Sequence, residues 1–267
     1  FTRGPVRSRK LENIKEEVGR IVKNGYKEVV LTGIHVASYG KDSGDMSLID
    51  VIESIAEIEG LERIRTSSVE PLIITEEFVQ RLGAVDKFCP HFHLSLQSGS
   101  DSVLSRMNRR YTSQEYREAV NTIRRTFPYA AITTDVIVGF PEETDQEFEQ
   151  TYEFLKELKL YETHIFKYSP RNGTKAAEMP DQVDPSVKNS RSECLIKLNE
   201  KNKKDFEDLH VGQIVDILIE THENGYATGH TKNYIKAGIK TQENLSNQII
   251  KSRITDISED FAIAERA

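Results

Sequence analysis

The stretch from Phe92 to Phe148, FHLSLQSGSDSVLSRMNRRYTSQEYREAVNTIRRTFPYAAITTDVIVGFPEETDQEF, decides the fold. Phe92 to Leu96 alternates apolar and polar residues, the pattern of a strand with one covered face. Ile132 to Val138 is a second strand, and it ends at Gly139. Between them, Thr112 and Glu115 have the spacing of a capping box, in which two side chains satisfy each other's orphan backbone donors and open a helix. Thr144 and Glu147 repeat that spacing after the second strand. Strand–helix repetition implies parallel strands joined by helical crossovers.

The pattern extends outward in both directions. Val29 to Leu31, Ile64 to Val69 and His164 to Tyr168 read as further strands. Leu11, Ile14, Val18, Ile21 and Val22 share one helical face, as do Leu48, Val51, Ile52, Ile55 and Ala56. Asp184 followed by Pro185 reads as an N-cap with proline at the first helical position, opening a charged helix to about residue 208. The character changes near Leu209. Gln213 to Ile219, Tyr226 to Thr231, Tyr234 to Ile239, Gln248 to Ile257 and Phe261 to Ala264 are short strand candidates, and Glu223-Asn224-Gly225 is a turn signal. The expected architecture is α/β: a partial parallel (β/α) barrel over residues 1–204, then a small all-β barrel over residues 205–267.

Composition narrows the class. The chain has 267 residues, 30% of them charged, and no apolar run near the roughly 18 residues of a membrane span. Its two cysteines, Cys89 and Cys194, exclude a disulfide framework and any metal site built from three or four cysteines of this chain. They point to a reducing compartment, so a cytoplasmic location is expected. A net charge of -7 argues against a strongly basic nucleic-acid binder but leaves room for a local basic patch. The chain opens on Phe1 rather than Met, which reads as a piece of a longer protein.

In parallel β/α folds, ligands sit at the carboxyl ends of strands. All five ends carry glycine or polar residues: Thr32-Gly33, Ser67 to Glu70, Gln97-Ser98-Gly99, Gly139, and the segment after Tyr168. Turns need such residues in any case, but five in register point to a ligand site on that face. Glu70 precedes Pro71 and is held extended, where a carboxylate suits an ammonium group or is a plain loop acid. Gln97 offers donor and acceptor to ribose hydroxyls, or is a loop amide. Arg106, Arg109 and Arg110 form a fork for a carboxylate or phosphate, or a solvated basic surface. His35 lies in a loop within reach of the site. His91 and His93 share a strand face, but a metal pair needs further ligands and none is evident, so structural roles are expected. Arg3, Arg7, Arg9 and Lys10 carry positive charge with no acid among them, suiting phosphate or a solvated tail.

HLSLQSGSDSVLSRMNRRYT (93–112), TTDVIVGFPEETDQEF (133–148) and YSPRNGTKAAEMP (168–180) resemble the radical S-adenosylmethionine methylthiotransferases. LTGIHVASYG (31–40) and SSVEP (67–71) look like the branch that modifies threonylcarbamoyladenosine in tRNA. GYATGHTKNYIKA (225–237) looks like the TRAM domain, a small OB-like barrel. The resemblance covers essentially the whole chain. It implies methylthiolation at C2 of the modified adenine next to the anticodon, with S-adenosylmethionine as cofactor and the tRNA anticodon stem-loop as partner. The family's CxxxCxxC motif, which binds a 4Fe–4S cluster, precedes a segment like FTRGPVRSR, and an N-terminal domain holds a second cluster. The chain is therefore expected to be a C-terminal fragment with five of the six core strands, no metal site of its own, and no activity alone.

Residue by residue, the resemblance implies that Thr32, Gly33 and Glu70 lie near the methionine amine. Gln97 and Ser98 would address the ribose, and Val138 and Gly139 would pack on adenine with Tyr168 opposite. Arg109 or Arg110 would hold the methionine carboxylate, and no catalytic residue is named. Arg3, Arg7, Arg9, Lys10 and Arg106 would face RNA around the site mouth, with Lys232 and Lys236 of the small barrel reaching phosphates beyond. Sibling enzymes acting on isopentenyladenosine in tRNA or on a ribosomal-protein aspartate share the architecture. A non-catalytic RNA-binding protein is disfavoured by six Lys/Arg against eleven Asp/Glu in residues 205–267. A metal-dependent barrel hydrolase finds few ligands beyond Glu70 and the His91/His93 pair.

Overall fold

The computed structural model describes residues 4–44 and 46–267. Arg3 lies outside the described residues. Helix and strand alternate along the first part: α1 (Leu11–Lys23), β1 (Glu28–Leu31), α2 (Leu48–Ala56), β2 (Arg63–Thr66), α3 (Glu76–Gly83), β3 (His91–His93), α4 (Asp101–Arg106), α5 (Ser113–Thr126), β4 (Ala131–Val138), α6 (Asp145–Leu158), β5 (Glu162–Lys167), α7 (Lys175–Glu178) and α8 (Pro185–Asp208). Thr112 and Thr144 each close the capping box that their spacing predicts. Asp184 caps α8 by accepting from the Ser186 amide.

β1 pairs with β2, and β3 with β4 and β5, all in parallel. Parallel bridges from Ile64 to Phe88 and from Val69 to Leu94 join β2 to β3, so the five strands make one sheet in sequence order. The expected strand Ile64–Val69 is interrupted: regular pairing stops at Thr66, and Val69 re-enters beside Leu94. Three short helices, α3, α4 and α7, are not among those that the sequence pattern marks. The strand period of two sorts the side chains. Ile64, Phe92, Ile132, Val136 and Val138 pack with Ile52, Ile55 and Ile123 into the helix-side core. The opposite, inner face carries Glu28, Arg63, Arg65, His91, His93 and Asp135. α8 covers the outer edge of β5, where Asn199 Oδ1 accepts from the Thr163 amide at 2.6 Å.

The second part is a closed five-stranded barrel in the order β10-β8-β7-β6-β9, built from β6 (Ile214–Glu223), β7 (Tyr226–Thr231), β8 (Lys236–Lys240), β9 (Ile249–Ile257) and β10 (Ala262–Arg266). Each of the five strands overlaps an expected run, with β6 extending past Ile219 to Glu223. Asn224 and Gly225 both have positive φ, 53° and 77°, as a two-residue type I′ turn requires. Gly229 is needed for close approach: a Cβ there would lie 1.8 Å from the Leu218 carbonyl oxygen.

The barrel packs under the amino-terminal ends of the sheet strands. Arg63 is fully buried and donates from Nη1 to the His230 carbonyl at 2.8 Å and from Nη2 to the Asp216 carbonyl at 2.7 Å. Arg65 bonds Glu28 Oε1 at 3.0 Å and the Lys232 carbonyl at 3.1 Å. The Tyr234 ring stacks on His91 at 4.3 Å and on His230 at 4.7 Å. Cys89 is buried in this contact, which pushes its thiol up to about 11. Among the described residues, no helix is long and apolar enough to cross a membrane.

Candidate functional site

Backbone hydrogen bonds lace consecutive strand ends together. The Ser67 amide donates to the Leu31 carbonyl at 2.9 Å, Val69 to His93 at 2.9 Å, Gln97 to Asp135 at 2.8 Å, Ile137 to Gln97 at 2.9 Å and Tyr168 to Val138 at 2.9 Å. The five ends read from sequence therefore form one continuous rim. On the β1 side the rim borders a cleft of about 1080 Å³ lined by Thr32, Gly33, His35, Arg7 and Arg9.

Each rim residue has a definite setting. Thr32 and Gly33 are exposed at the end of β1. Glu70 is half-buried and pairs with His35 Nε2 at 2.9 Å, which joins two residues considered separately in the sequence. Gln97 has φ 73°, a left-handed conformation uncommon outside glycine, and is buried. Ser98 turns away from the inner face: its hydroxyl lies 3.1 Å from Thr151 Oγ1 on α6. A side-chain contact from Ser98 to a ribose is not what this placement offers. Val138 likewise points into the helix-side core, so only its backbone meets the rim. The inner-face neighbour is Ile137.

Arg109 and Arg110 separate clearly. Arg109 is half-buried with its charge near Asp135, whereas Arg110 is exposed. Arg106 is already committed, forking onto Glu147 at 2.9 and 2.8 Å. That pairing holds the Glu147 carboxyl down at about 2 and leaves Arg106 little free charge for RNA.

The loop after β4 is anchored by residues that sequence reasoning missed. Glu143 accepts from the Gly139 amide at 2.9 Å and from Arg191 Nη1 at 2.7 Å, with both charged side chains buried. Burial dominates the Glu143 carboxyl and raises its pKa, against the pull of Arg191. Lys188 Nζ donates to the Tyr168 carbonyl at 3.1 Å. Gly139 has φ 69°, and a Cβ there would meet Lys188 Cγ at 2.4 Å. α8 thus pins the ends of β4 and β5 together. Among the described residues, the buried Tyr168 hydroxyl has no hydrogen-bond partner, and its ring meets Phe140 edge-on at 5.2 Å.

The basic residues do not form one patch. Arg7, Arg9 and Lys10 are exposed beside the β1 end, and Arg9 pairs with Glu17. Lys232 lies at the other end of the sheet, donating from Nζ to the Asp86 carbonyl at 2.7 Å, just before β3. Lys236 is exposed on β8, beneath the start of β5. These two lysines therefore lie on the small barrel, away from the rim that Arg7, Arg9 and Lys10 border.

On the inner face, burial first and Arg65 second push His91 down to about 3, so it is neutral. The His93 imidazole beside Asp135, with lesser help from His164 and Arg109, holds that carboxyl below its ordinary range.

The Radical SAM superfamily profile matches residues 1–155. The chain is 41% identical over 260 residues, 95% of its length, to the threonylcarbamoyladenosine tRNA methylthiotransferase MtaB of Bacillus subtilis (strain 168). It is 38% identical over 96% of its length to a tRNA-2-methylthio-N(6)-dimethylallyladenosine synthase of Thermoanaerobacter sp. (strain X514). It spans 58% and 55% of those two proteins. Among solved structures, the coproporphyrinogen III oxidase HemN of Escherichia coli superposes with a TM-score of 0.55 at 17% identity, over 72% of this chain and 45% of that one. That likeness is one of fold.

Proposed function

The chain belongs to the Radical SAM superfamily, and from that premise we propose that it is the core and small barrel of a tRNA methylthiotransferase. Its substrate in this reading is N6-threonylcarbamoyladenosine next to the anticodon, modified at C2. The observation that carries the reading is the rim of five laced strand ends, on a chain similar to a threonylcarbamoyladenosine tRNA methylthiotransferase.

S-adenosylmethionine fits the rim on a structural ground: the orphaned Tyr168 hydroxyl is a buried polar atom that a ligand would satisfy. Thr32, Gly33 and Glu70 are the residues to hold its amine, Arg109 in preference to Arg110 its carboxylate, and Gln97 its ribose. Adenine would rest against the Val138–Gly139 backbone and Tyr168, with Ser98 acting only through its main chain. The chemistry this cofactor supplies when bound is hydrogen abstraction at carbon. The chain's own part is to orient it: Arg191 and Lys188 fix the loop after β4, and the Glu70–His35 pair fixes that after β2.

An iron–sulfur cluster does not fit the residues present. It needs several thiolates, and the two cysteines are Cys89, buried against Glu28, and Cys194, exposed on α8. We therefore expect these 267 residues alone to be inactive. Arg7, Arg9 and Lys10 are assigned to RNA phosphates beside the cleft, with Arg3 in the same segment and Lys236 as a contact of the small barrel. Residues 1–204 form the catalytic core and 205–267 the RNA-facing domain in this reading, at work in the cytoplasm.

Deleting the gene tests the proposal. Nucleoside mass spectrometry should show tRNA threonylcarbamoyladenosine without its 2-methylthio group, and unaltered 2-methylthio-dimethylallyladenosine. Loss of the second nucleoside alone would assign the sibling reaction, and no loss of either would overturn the proposal.

A further inference from the structure

On the inner face, below the rim, β3, β4 and β5 bring three potential metal ligands together. We propose that His93, Asp135 and His164 form a binding site for one divalent transition-metal ion of the zinc class. The site is independent of the methylthiotransferase reading.

The register places the three. Asp135 and His164 are directly paired residues of β4 and β5, and His93 pairs with Thr133, two residues before Asp135. Two imidazole nitrogens and a carboxylate oxygen come within 4.8 Å of one another. His93 Nε2 stands 3.4 Å from Asp135 Oδ2. That is long for a charge-assisted hydrogen bond, about 2.7–2.9 Å. It is close to the spacing of two ligands on one tetrahedral ion, about 3.3 Å for bonds of about 2.0–2.1 Å.

The surroundings prepare His93 for that role. Its other nitrogen, Nδ1, lies 3.0 Å from Thr133 Oγ1. With an ion bound, a proton held on Nδ1 by this contact would leave the Nε2 lone pair for the metal, the arrangement by which outer-shell groups orient a ligating histidine. His164 stacks on His93 at 5.8 Å between ring centres and is exposed, so its ring is free to close on the ion. Two imidazoles select zinc, iron, cobalt or nickel over magnesium or calcium. Among the described residues, the Arg109 cation acts on Asp135, and the Arg65 cation on the neighbouring His91. Three protein ligands leave a position open toward the inner chamber, as in sites that bind a further ligand on the ion.

Zinc chloride titrated calorimetrically into the chelator-stripped chain should bind with one-to-one stoichiometry. His164→Ala and Asp135→Asn should each weaken binding by about tenfold or more, and Thr133→Val by about tenfold. Cobalt should give d–d absorption without a sulfur-to-metal band, in wild type and Cys194→Ala alike. His164 is exposed, so its variant should fold, as circular dichroism would verify, and it keeps the test decisive if Asp135→Asn does not. Absence of stoichiometric binding, unchanged affinity in His164→Ala, or a sulfur-to-cobalt band lost in Cys194→Ala would each overturn the proposal.

Discussion

The guanidinium of Arg63 on β2 donates to the main-chain carbonyl of His230 on β7, 167 residues later, at 2.8 Å. With its second bond to Asp216, this one side chain ties the sheet to the small barrel. Arg63→Ala should remove both bonds and leave two carbonyls in a buried contact. A loss of about 3 kcal/mol is expected in urea unfolding, because buried bonds to a charged group are costly to break. A change under about 0.5 kcal/mol would mean that the aromatic stack on Tyr234 holds the contact by itself.

The Glu143–Arg191 pair gives a second expectation. Arg191→Ala leaves a carboxylate buried and should cost about 3–5 kcal/mol, whereas Glu143→Leu with Arg191→Met should be close to neutral. Equal losses in the single and double variants would show that packing of α8, and not the charge pair, fixes the loop after β4.

His210 supplies a pH dependence. It is buried, its Nδ1 lies 2.9 Å from the Phe206 carbonyl, and its Nε2 lies 2.8 Å from the Asn233 amide. Burial depresses its pKa below the ordinary 6.5. Its contribution to stability is therefore present above pH 6.5 and is lost as the pH falls toward the folded-state value. Thermal melts between about pH 5 and 8 should show a steeper acid-side loss for wild type than for His210→Phe. Parallel curves would place the acid-sensitive group elsewhere.

Tyr168→Phe separates a ligand contact from a structural one. The hydroxyl has no hydrogen-bond partner among the described residues, so its loss should change stability by less than about 0.5 kcal/mol. In the intact enzyme, S-adenosylmethionine binding should weaken by about 1 kcal/mol, one hydrogen bond. A marked drop in melting temperature would instead make the hydroxyl part of the core.

Local signals carried the fold well. The capping boxes at Thr112 and Thr144, the alternation in β4 and the Asn224-Gly225 turn are each written within a few residues, where short-range physics acts. Contacts between distant segments were not legible. Arg65 reads only as one residue of the strand Ile64 to Val69 and Arg63 lies just before it, since the carbonyls they serve lie on a barrel more than 150 residues away. Glu143 and Arg191 each look like ordinary surface charge until α8 folds across the strand ends. That His91 and His93 share a face follows from their spacing, but the partners Asp135 and His164 depend on the register of two further strands. The resemblance implies ligand contacts for Ser98 and Val138, yet their side chains meet α6 and the helix-side core, because a one-residue step along a strand reverses which face a side chain meets.

Cys89, sealed between Glu28 and the arginines of β2, gives the molecule a built-in clock. Burial withholds its thiolate, while Cys194 sits in the open on α8. A thiol-reactive dye should mark Cys194 at once and Cys89 only when barrel and sheet part company. The pace of the second labelling event is then a direct reading of how often these two halves of the chain let go of each other.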